Sequence, residues 1–221
     1  LGNNSRLRAS ATEPLLLYSS NFDGNGSFDP LIGQHYLNEQ GERASYPLHA
    51  RDDVVKQLPM IKDHYVAYAD FGRVTFTDLL QEEASSDSFL KVNQLQSCLL
   101  QKGEGGKYEL APLPGATQAA PIQTILPIAN ESGTATALFV GNDFTCEKNH
   151  GWYDAFNGLF LEFEQDAIQI RKSNESGFFV PGDSRSLIRF NNKNGEQLIL
   201  VGQNRGELVV FKPNNRMQLW Q

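Results

Sequence analysis

Short apolar runs separated by glycine, asparagine, aspartate and proline constrain the fold of this chain more than any other feature. Runs of this length, ended by turn-forming residues, are typical of β-strands. The pattern predicts twelve strands, near residues 14–18, 30–37, 96–102, 106–111, 122–128, 135–141, 156–163, 167–172, 185–190, 196–202, 206–211 and 216–220. Because they fall into three groups of four, the sequence predicts a mainly β fold.

The last group predicts a four-stranded antiparallel meander. Its apolar runs are separated by the turn sequences 191–195, 203–206 and 213–215, which are short enough for consecutive hairpins. In the second group, residues 138–142 match residues 200–203 of the third. Since repetition of a four-stranded unit is the sequence sign of a β-propeller, we expect a partial propeller of about three antiparallel blades.

A helical insertion is predicted within the first group, over residues 51–82. Apolar residues recur there at helical spacing: Val54, Leu58, Ile61 and Tyr65. Asp52 and Asp53 are placed to cap a first turn, and Pro59 separates two short helices. We expect this insertion to be where a partner surface is formed.

A third short helix is predicted after Thr75, which can cap it, with Phe76, Leu79 and Leu80 turned inward. Residues 81–88 then form an exposed exit loop. The whole chain is predicted as one propeller-like domain, 1–221, with units over residues 12–50 plus 89–113, 119–174 and 180–221.

One loop has a definite chemical use. Residues 21–29 read N-F-D-G-N-G-S-F-D, and Gly26 allows the positive φ that such a tight loop needs. The oxygen donors are Asn21, Asp23, Asn25 and Asp29, with the carbonyl of Ser27. We expect them to hold one calcium ion, whereas the alternative is a hairpin turn without metal.

Composition limits the partners. The 221 residues carry 19 basic and 26 acidic side chains, and the net charge of −7 argues against nucleic acid and anionic membranes as partners. No apolar run approaches the roughly 20 residues needed to span a bilayer. Cys98 and Cys146 form no CxxC motif and are expected to be free thiols.

No catalytic motif was found in the sequence, which lacks GxSxG, HExxH, CxxC and phosphate-binding loops. Cys146 and His150 are four residues apart, but a zinc site needs further ligands, so ordinary loop residues are favoured. Asp154 and Asp183 are candidates for a ligand pocket, although hydrogen bonding to loop amides is the favoured interpretation.

An aromatic cluster at Trp152, Tyr153 and Phe156 leaves a similar choice. These side chains could form a sugar-binding platform or pack between blades, and packing is favoured.

The chain resembles the FG-GAP/VCBS-repeat proteins, and specifically the C-terminal region of the long FG-GAP-like proteins associated with ASPIC/UnbV domains in Bacteroidetes. The resemblance rests on NFDGNGSFDP at 21–30, on Tyr46-Pro47 with RDD at 51–53 and QLP at 57–59, on GWYDA at 151–155 and on VPGDSR at 180–185. It implies a calcium-supported propeller of an exported protein, in the periplasm, at the cell surface or outside the cell.

The sequence also departs from that family. The corresponding loops at 128–136 and 190–195 lack the usual aspartates, and Lys193 lies within the second of them. In the intact loop, Asn21 replaces the usual first aspartate, which weakens cation binding. We therefore expect one cation site at most.

Two functions follow as hypotheses. The first is a non-catalytic module that binds a protein or glycan, and the alternative is a propeller-type hydrolase or lyase acting on carbohydrate, with a site assembled from blade loops. Three blades leave two apolar flanks, so we expect either the missing blades of a longer parent chain or a second copy to cover them.

Overall fold

A computed structural model describes residues 1–80, 89–128, 135–146, 151–164, 167–213 and 219–220. The protein is mainly β, with four antiparallel sheets of two to four strands, none of them closed among the described residues. It divides into two compact units. The first unit is Leu7–Leu95, and the second combines Leu1–Arg6 with Gln96–Gln221.

The first unit contains one sheet and four short helices. Its strands are β1 (Leu15–Ser20), β2 (Asp29–Leu37), β3 (Arg43–Pro47) and β4 (Leu90–Val92), in the sheet order β3-β2-β1-β4. The predicted grouping of strands was wrong here, because the runs at 96–102 and 106–111 pair with each other in a separate two-stranded sheet. The positions they were expected to fill are taken by β3 and β4, two strands that the apolar pattern did not predict.

The helices lie between β3 and β4. They are α1 (Arg51–Gln57), α2 (Ile61–His64), α3 (Tyr68–Phe71) and α4 (Phe76–Leu80). The predicted inward side chains are all buried: Val54, Leu58, Ile61, Phe76, Leu79 and Leu80. They share one core with Leu16 and Leu31 of the sheet, so the helical insertion over 51–80 is confirmed.

Capping of these helices is confirmed at one end and corrected at another. The backbone amide of Asp78 donates to the Thr75 hydroxyl at 3.2 Å, so Thr75 caps α4. Ala50 holds the cap position of α1 without a side-chain bond, and the predicted cap by Asp52 or Asp53 was wrong. Both carboxylates instead lie in the first turn, where their negative charges interact favourably with the positive end of the helix dipole.

The second unit contains three sheets. The hairpin sheet is β5 (Cys98–Lys102) with β6 (Tyr108–Pro112), and the second sheet has the order β10-β9-β8-β7. Its strands are β7 (Ile122–Ile128), β8 (Ala135–Gly141), β9 (Leu159–Phe163) and β10 (Ile168–Arg171), followed by α5 (Ser173–Ser176). The third sheet has the order β11-β12-β13-β14, with β11 (Ser184–Asn191), β12 (Gln197–Gln203), β13 (Val209–Pro213) and β14 (Leu219–Trp220). The meander predicted for the last group is thus confirmed, and the four-stranded unit predicted for the second group forms a meander as well.

The second sheet is buried on both faces. An inter-sheet core between the second and third sheets contains Ile128, Leu138, Val140, Phe160, Phe178, Val180, Leu187, Ile199, Val201 and Phe211. On its other face, Ala137, Phe139 and Leu161 pack with Leu113, Ala120, Tyr153 and Phe156. Successive side chains of β8 therefore pack alternately into these two cores. This explains why its residues from Thr136 to Gly141 are all buried.

Candidate functional site

The predicted cation loop joins β1 to β2, and its oxygens are engaged by the loop itself. The Asn21 side-chain oxygen accepts from the Gly26 amide at 3.3 Å, and Asp23 Oδ1 accepts from the Asn25 amide at 3.0 Å. Asn25 Oδ1 accepts from the Ser27 amide at 2.7 Å. Gly26 has the positive φ that the sequence predicted, at 91°. These bonds fix a tight loop whose polar side chains share a small volume.

The donors of this loop fit a hard cation in part. The side-chain nitrogen of Asn25 donates to Asp23 Oδ2 at 2.7 Å, so the ends of these two side chains are close together. Both residues are exposed to solvent. Asp29 is buried, and its Oδ2 accepts from the Phe22 amide at 3.2 Å. Only Asp23 and Asp29 carry charge, and the described residues include no group of three His, Cys, Asp or Glu side chains placed to hold a metal. A cation here would depend on amide and carbonyl oxygens.

A second polar site lies where strands of the second and third sheets end. Asn142, just after β8, is fully buried with φ 77°. Its side-chain nitrogen donates to the carbonyls of Pro181 and Gly182, both at 3.1 Å, and its oxygen accepts from the Phe156 amide at 2.9 Å. The side chain thus joins three backbone segments that the chain order keeps far apart.

Arg185 joins two carboxylates beside it. Its Nη2 donates to Asp143 Oδ1 at 2.9 Å and to Asp183 Oδ2 at 3.0 Å. Asp183 is 1% exposed and also accepts from the Asn204 side chain at 3.1 Å. Its Oδ1 lies 2.9 Å from Arg185 Nε, within ion-pair distance, although no well-directed hydrogen bond reaches that oxygen. Asp183 does bond a loop amide, that of Phe144 at 3.4 Å, but it is buried and also pairs with Arg185, which the sequence did not predict.

The pKa values of Asp143 and Arg185 are shifted in the directions that stabilise their ion pair. Burial by itself would raise the pKa of Asp143, but hydrogen bonds from Thr145 and Arg185 outweigh it and lower that pKa. Burial opposes the charge on Arg185, yet its bonds to Asp183 and Asp143 raise its pKa. Both groups are therefore held in their charged forms.

The predicted aromatic cluster separates into two parts. Tyr153 and Phe156 are buried in the core of the second unit, as packing residues. Trp152 is 66% exposed and stacks on the ring of Phe144, with centroids 5.1 Å apart and planes inclined by 16°. A backbone bridge between Asp143 and Tyr153, with bonds of 2.8 and 3.0 Å, sets the two rings side by side.

Sequence reasoning singled out Trp152 and Asp183 but missed Phe144, Asp143 and Arg185. The available signal was the recurrence of glycine and aspartate at strand ends, in GND at 141–143 and PGDSR at 181–185. Asp154 is exposed, and nothing joins it to the carboxylates of this network in the described part of the chain. Cys98 and Cys146 are half-buried free thiols, and His150 lies outside the described residues.

A groove in the first unit lies beside the helical insertion. Its volume is about 600 Å³, within the usual range for small-ligand sites. It is lined by Tyr36, Leu37, Asn38, Glu39, Gln40, Tyr46, Pro47, Gly72, Arg73 and Thr75. Arg73 and Glu39 pair at 3.3 Å while remaining largely exposed, so their polar groups remain accessible from solvent.

Comparison with protein-family models, curated proteins and solved structures finds no match for this chain. No helix among the described residues is long and apolar enough to cross a membrane.

Proposed function

We propose that this protein is a non-catalytic binding module of the FG-GAP/VCBS-repeat kind, and that it binds a glycan at the ring of Trp152. The observation that carries the proposal is the exposure of Trp152. One face of its ring lies on Phe144, while the side chain as a whole is 66% exposed. The stacked pair of Trp152 and Phe144 presents a flat aromatic surface to solvent, which a ligand with an apolar face can cover.

A sugar ring suits this surface for two reasons. Its C–H face can stack on a flat aromatic ring, and Phe144 fixes the plane of Trp152 in advance, so little conformational entropy is lost on binding. Asp143 directly precedes Phe144 in the chain, and Arg185 is bonded to Asp143 at 2.9 Å. The remaining polar atoms of this pair can bond hydroxyl groups. The stacked pair supplies affinity, and the charged pair supplies orientation.

A binding role is favoured over the alternative, a carbohydrate-active enzyme. Glycoside hydrolysis needs two carboxyl groups that face the substrate, one of them able to hold a proton. Asp143 precedes Phe144 in the chain, and Asp183 accepts from the Phe144 amide at 3.4 Å. Both carboxylates are bonded to Arg185, and Asp183 is buried. Against the effect of burial, hydrogen bonds from Thr145 and Arg185 lower the pKa of Asp143. This carboxylate is therefore unsuited to be the general acid, and Asp183 is too buried to face a substrate.

Calcium and an exported location belong to the same proposal. Asn21, Asp23, Asn25, Asp29 and the Ser27 carbonyl would hold the ion, whose role is to stiffen the β1–β2 connection. The support for this site is that side-chain oxygens of Asn21, Asp23 and Asn25 all lie within one tight loop fixed by the positive φ of Gly26. A periplasmic, cell-surface or extracellular module would meet both millimolar calcium and glycans.

A glycan array tests the proposal, with Trp152→Ala as the informative variant. We expect binding to fall at least tenfold, because the loss of one stacking contact costs about 1.5 kcal/mol. Phe179→Ala is the matched control, since Phe179 is 51% exposed in the same unit and is expected to leave binding unchanged. Equal binding by wild type and Trp152→Ala, or no binding to any glycan, would contradict the proposal.

A protein partner, if this module has one, is expected at the groove beside the helical insertion. Arg73 and Glu39 offer opposite charges at its edge, and Tyr36 is 42% exposed. Pull-down from surface fractions with wild type and with Arg73→Ala tests this: loss of a captured protein only in the variant supports the groove, and identical capture contradicts it.

A further inference from the structure

The second and third sheets repeat one register when they are aligned on their bulges. The first strand of each has an irregularity near its start, between Ile122 and Thr124 in β7 and between Ser184 and Ser186 in β11. With these bulges superimposed, every subsequent pair of β7 and β8 has a counterpart in β11 and β12. The repeat is therefore visible in hydrogen bonding as well as in sequence.

This alignment identifies two equivalent rows of apolar residues. In the second sheet, Leu126 pairs with Leu138, which pairs with Phe160. The equivalent row of the third sheet is Ile188, Leu200 and Val210, with the same pairing. Both rows run across three neighbouring strands on one face of their sheet.

The two equivalent rows differ in burial. The Leu126 row packs in the inter-sheet core, where Leu138 and Phe160 are almost fully buried. In the third sheet the opposite alternation enters that core, namely Leu187, Ile199, Val201 and Phe211. The two sheets are thus packed head to tail, and the Ile188 row faces away: Ile188 is 53% exposed, Val210 is 38% exposed and Leu200 is half-buried.

An apolar face of the opposite type lies on the hairpin sheet. Leu99 of β5 packs towards the core that the hairpin shares with the second sheet. Leu100 and Leu110 form a cross-strand pair of the other alternation and are 60% and 58% exposed. Along the series of hairpin, second and third sheets, one apolar face therefore remains uncovered at each end.

We propose that the third-sheet face of one molecule, centred on Ile188, Leu200 and Val210, binds the hairpin face of a second copy of this chain, centred on Leu100 and Leu110. The contact continues between molecules the head-to-tail packing that the second and third sheets show within one molecule. Burial of two such rows is favourable because apolar area leaves water on both sides. A contact between two different faces closes a pair when it forms twice, and otherwise builds an open chain.

Sedimentation equilibrium across a range of protein concentrations tests the contact. The wild type is expected to rise from the monomer mass of 24.6 kDa as concentration increases. Ile188→Lys and Leu110→Lys should each remain monomeric, since a charge on either face weakens association at least tenfold. Val66→Lys adds the same charge at a residue that is 75% exposed in the first unit, and should associate like the wild type.

Mixing the two face variants distinguishes the arrangement. Ile188→Lys retains an intact hairpin face and Leu110→Lys retains an intact third-sheet face, so an equimolar mixture should form dimers and stop there. Dissociation by Ile188→Lys alone, with Leu110→Lys still associating in the absence of the other variant, would indicate third sheet on third sheet and overturn the proposal. A wild type that stays monomeric at the highest concentration overturns it as well.

Discussion

At the scale of single residues, Asn142 shows how one side chain stabilises the loops of the second unit. It is fully buried, adopts a positive φ, and makes three bonds to backbone groups of the segments at 156 and 181–182. Asparagine tolerates this backbone region better than most residues. Asn142 therefore has two roles here: it tolerates the positive φ, and its side chain bonds buried backbone groups.

Replacement of Asn142 by alanine should lower the free energy of unfolding by about 3 kcal/mol, because buried partners lose their bonds and the positive φ becomes strained. Urea denaturation measures this change. Asn142→Gly relieves the backbone strain but not the lost bonds, so it should be about 1 kcal/mol less damaging than the alanine variant. Equal effects of the two variants would show that the backbone strain contributes little.

Acid should weaken the Asp143–Arg185 pair. Because the pKa of Asp143 is lowered in the folded protein, its contribution to stability is complete above the pKa of the unfolded chain and is lost as pH falls through the folded value. The stability difference between wild type and Asp143→Asn should therefore be largest near neutral pH and shrink below about pH 4. Parallel unfolding curves at pH 3, 5 and 7 measure it, and a constant difference would contradict the assignment.

At the scale of elements, the fit of α4 on the first sheet depends on a missing side chain. A Cβ atom at Gly33 of β2 would lie 2.7 Å from the ring of Phe76, which is fully buried. Helix and sheet approach closely only because this position carries no side chain. The same contact explains why the helical insertion packs rather than projects.

Gly33→Ala should cost about 2 kcal/mol through overpacking against Phe76. Phe76→Leu leaves space at the same place, so the double variant should be more stable than the sum of the two single losses implies. Chemical denaturation of all four proteins gives the coupling. Additive losses would mean that the Gly33 backbone, and not contact with Phe76, determines the effect.

The β1–β2 loop is the element whose proposed chemistry is easiest to test. Calcium at a concentration well above its dissociation constant should raise the melting temperature by about 5 °C, since the ion binds only the folded loop. Asp23→Asn retains the loop hydrogen bond but removes a charge, and should abolish most of that rise. Asp154→Asn, at another exposed carboxylate, is the control. Calorimetry with and without chelator measures the melting temperature. No shift in the wild type would contradict the calcium proposal.

At the scale of the whole molecule, the first unit contains everything that its own core requires. Its four described strands form one sheet, and the buried residues of its core cluster, among those that the structure describes, lie between Leu16 and Leu80. A fragment spanning Leu7–Leu95 should therefore fold without the rest of the chain. Circular dichroism and a cooperative thermal transition of this fragment would confirm it; dispersed amide resonances provide a second measurement, and a featureless spectrum would contradict the expectation.

The sequence by itself determined the local elements. Alternating apolar residues and turn sequences located both meanders of the second unit, and helical spacing located the insertion with its buried side chains. These patterns depend on neighbours within a few residues, which is why they could be found without the fold. The polar strand β3, with sequence RASYP, and the three-residue β4 had too little apolar signal to be predicted.

Only the tertiary structure decided which strands share a sheet and which faces are covered. The hairpin of β5 and β6 was predicted in the first sheet but forms a separate sheet, because strand pairing depends on partners that are distant in sequence. The bulges in β7 and β11 make Gly141 equivalent to Gln203, although the sequence match places it opposite Gly202. A shift of one residue reverses the face on which a side chain lies, so the direction of sheet packing could not be read from the sequence.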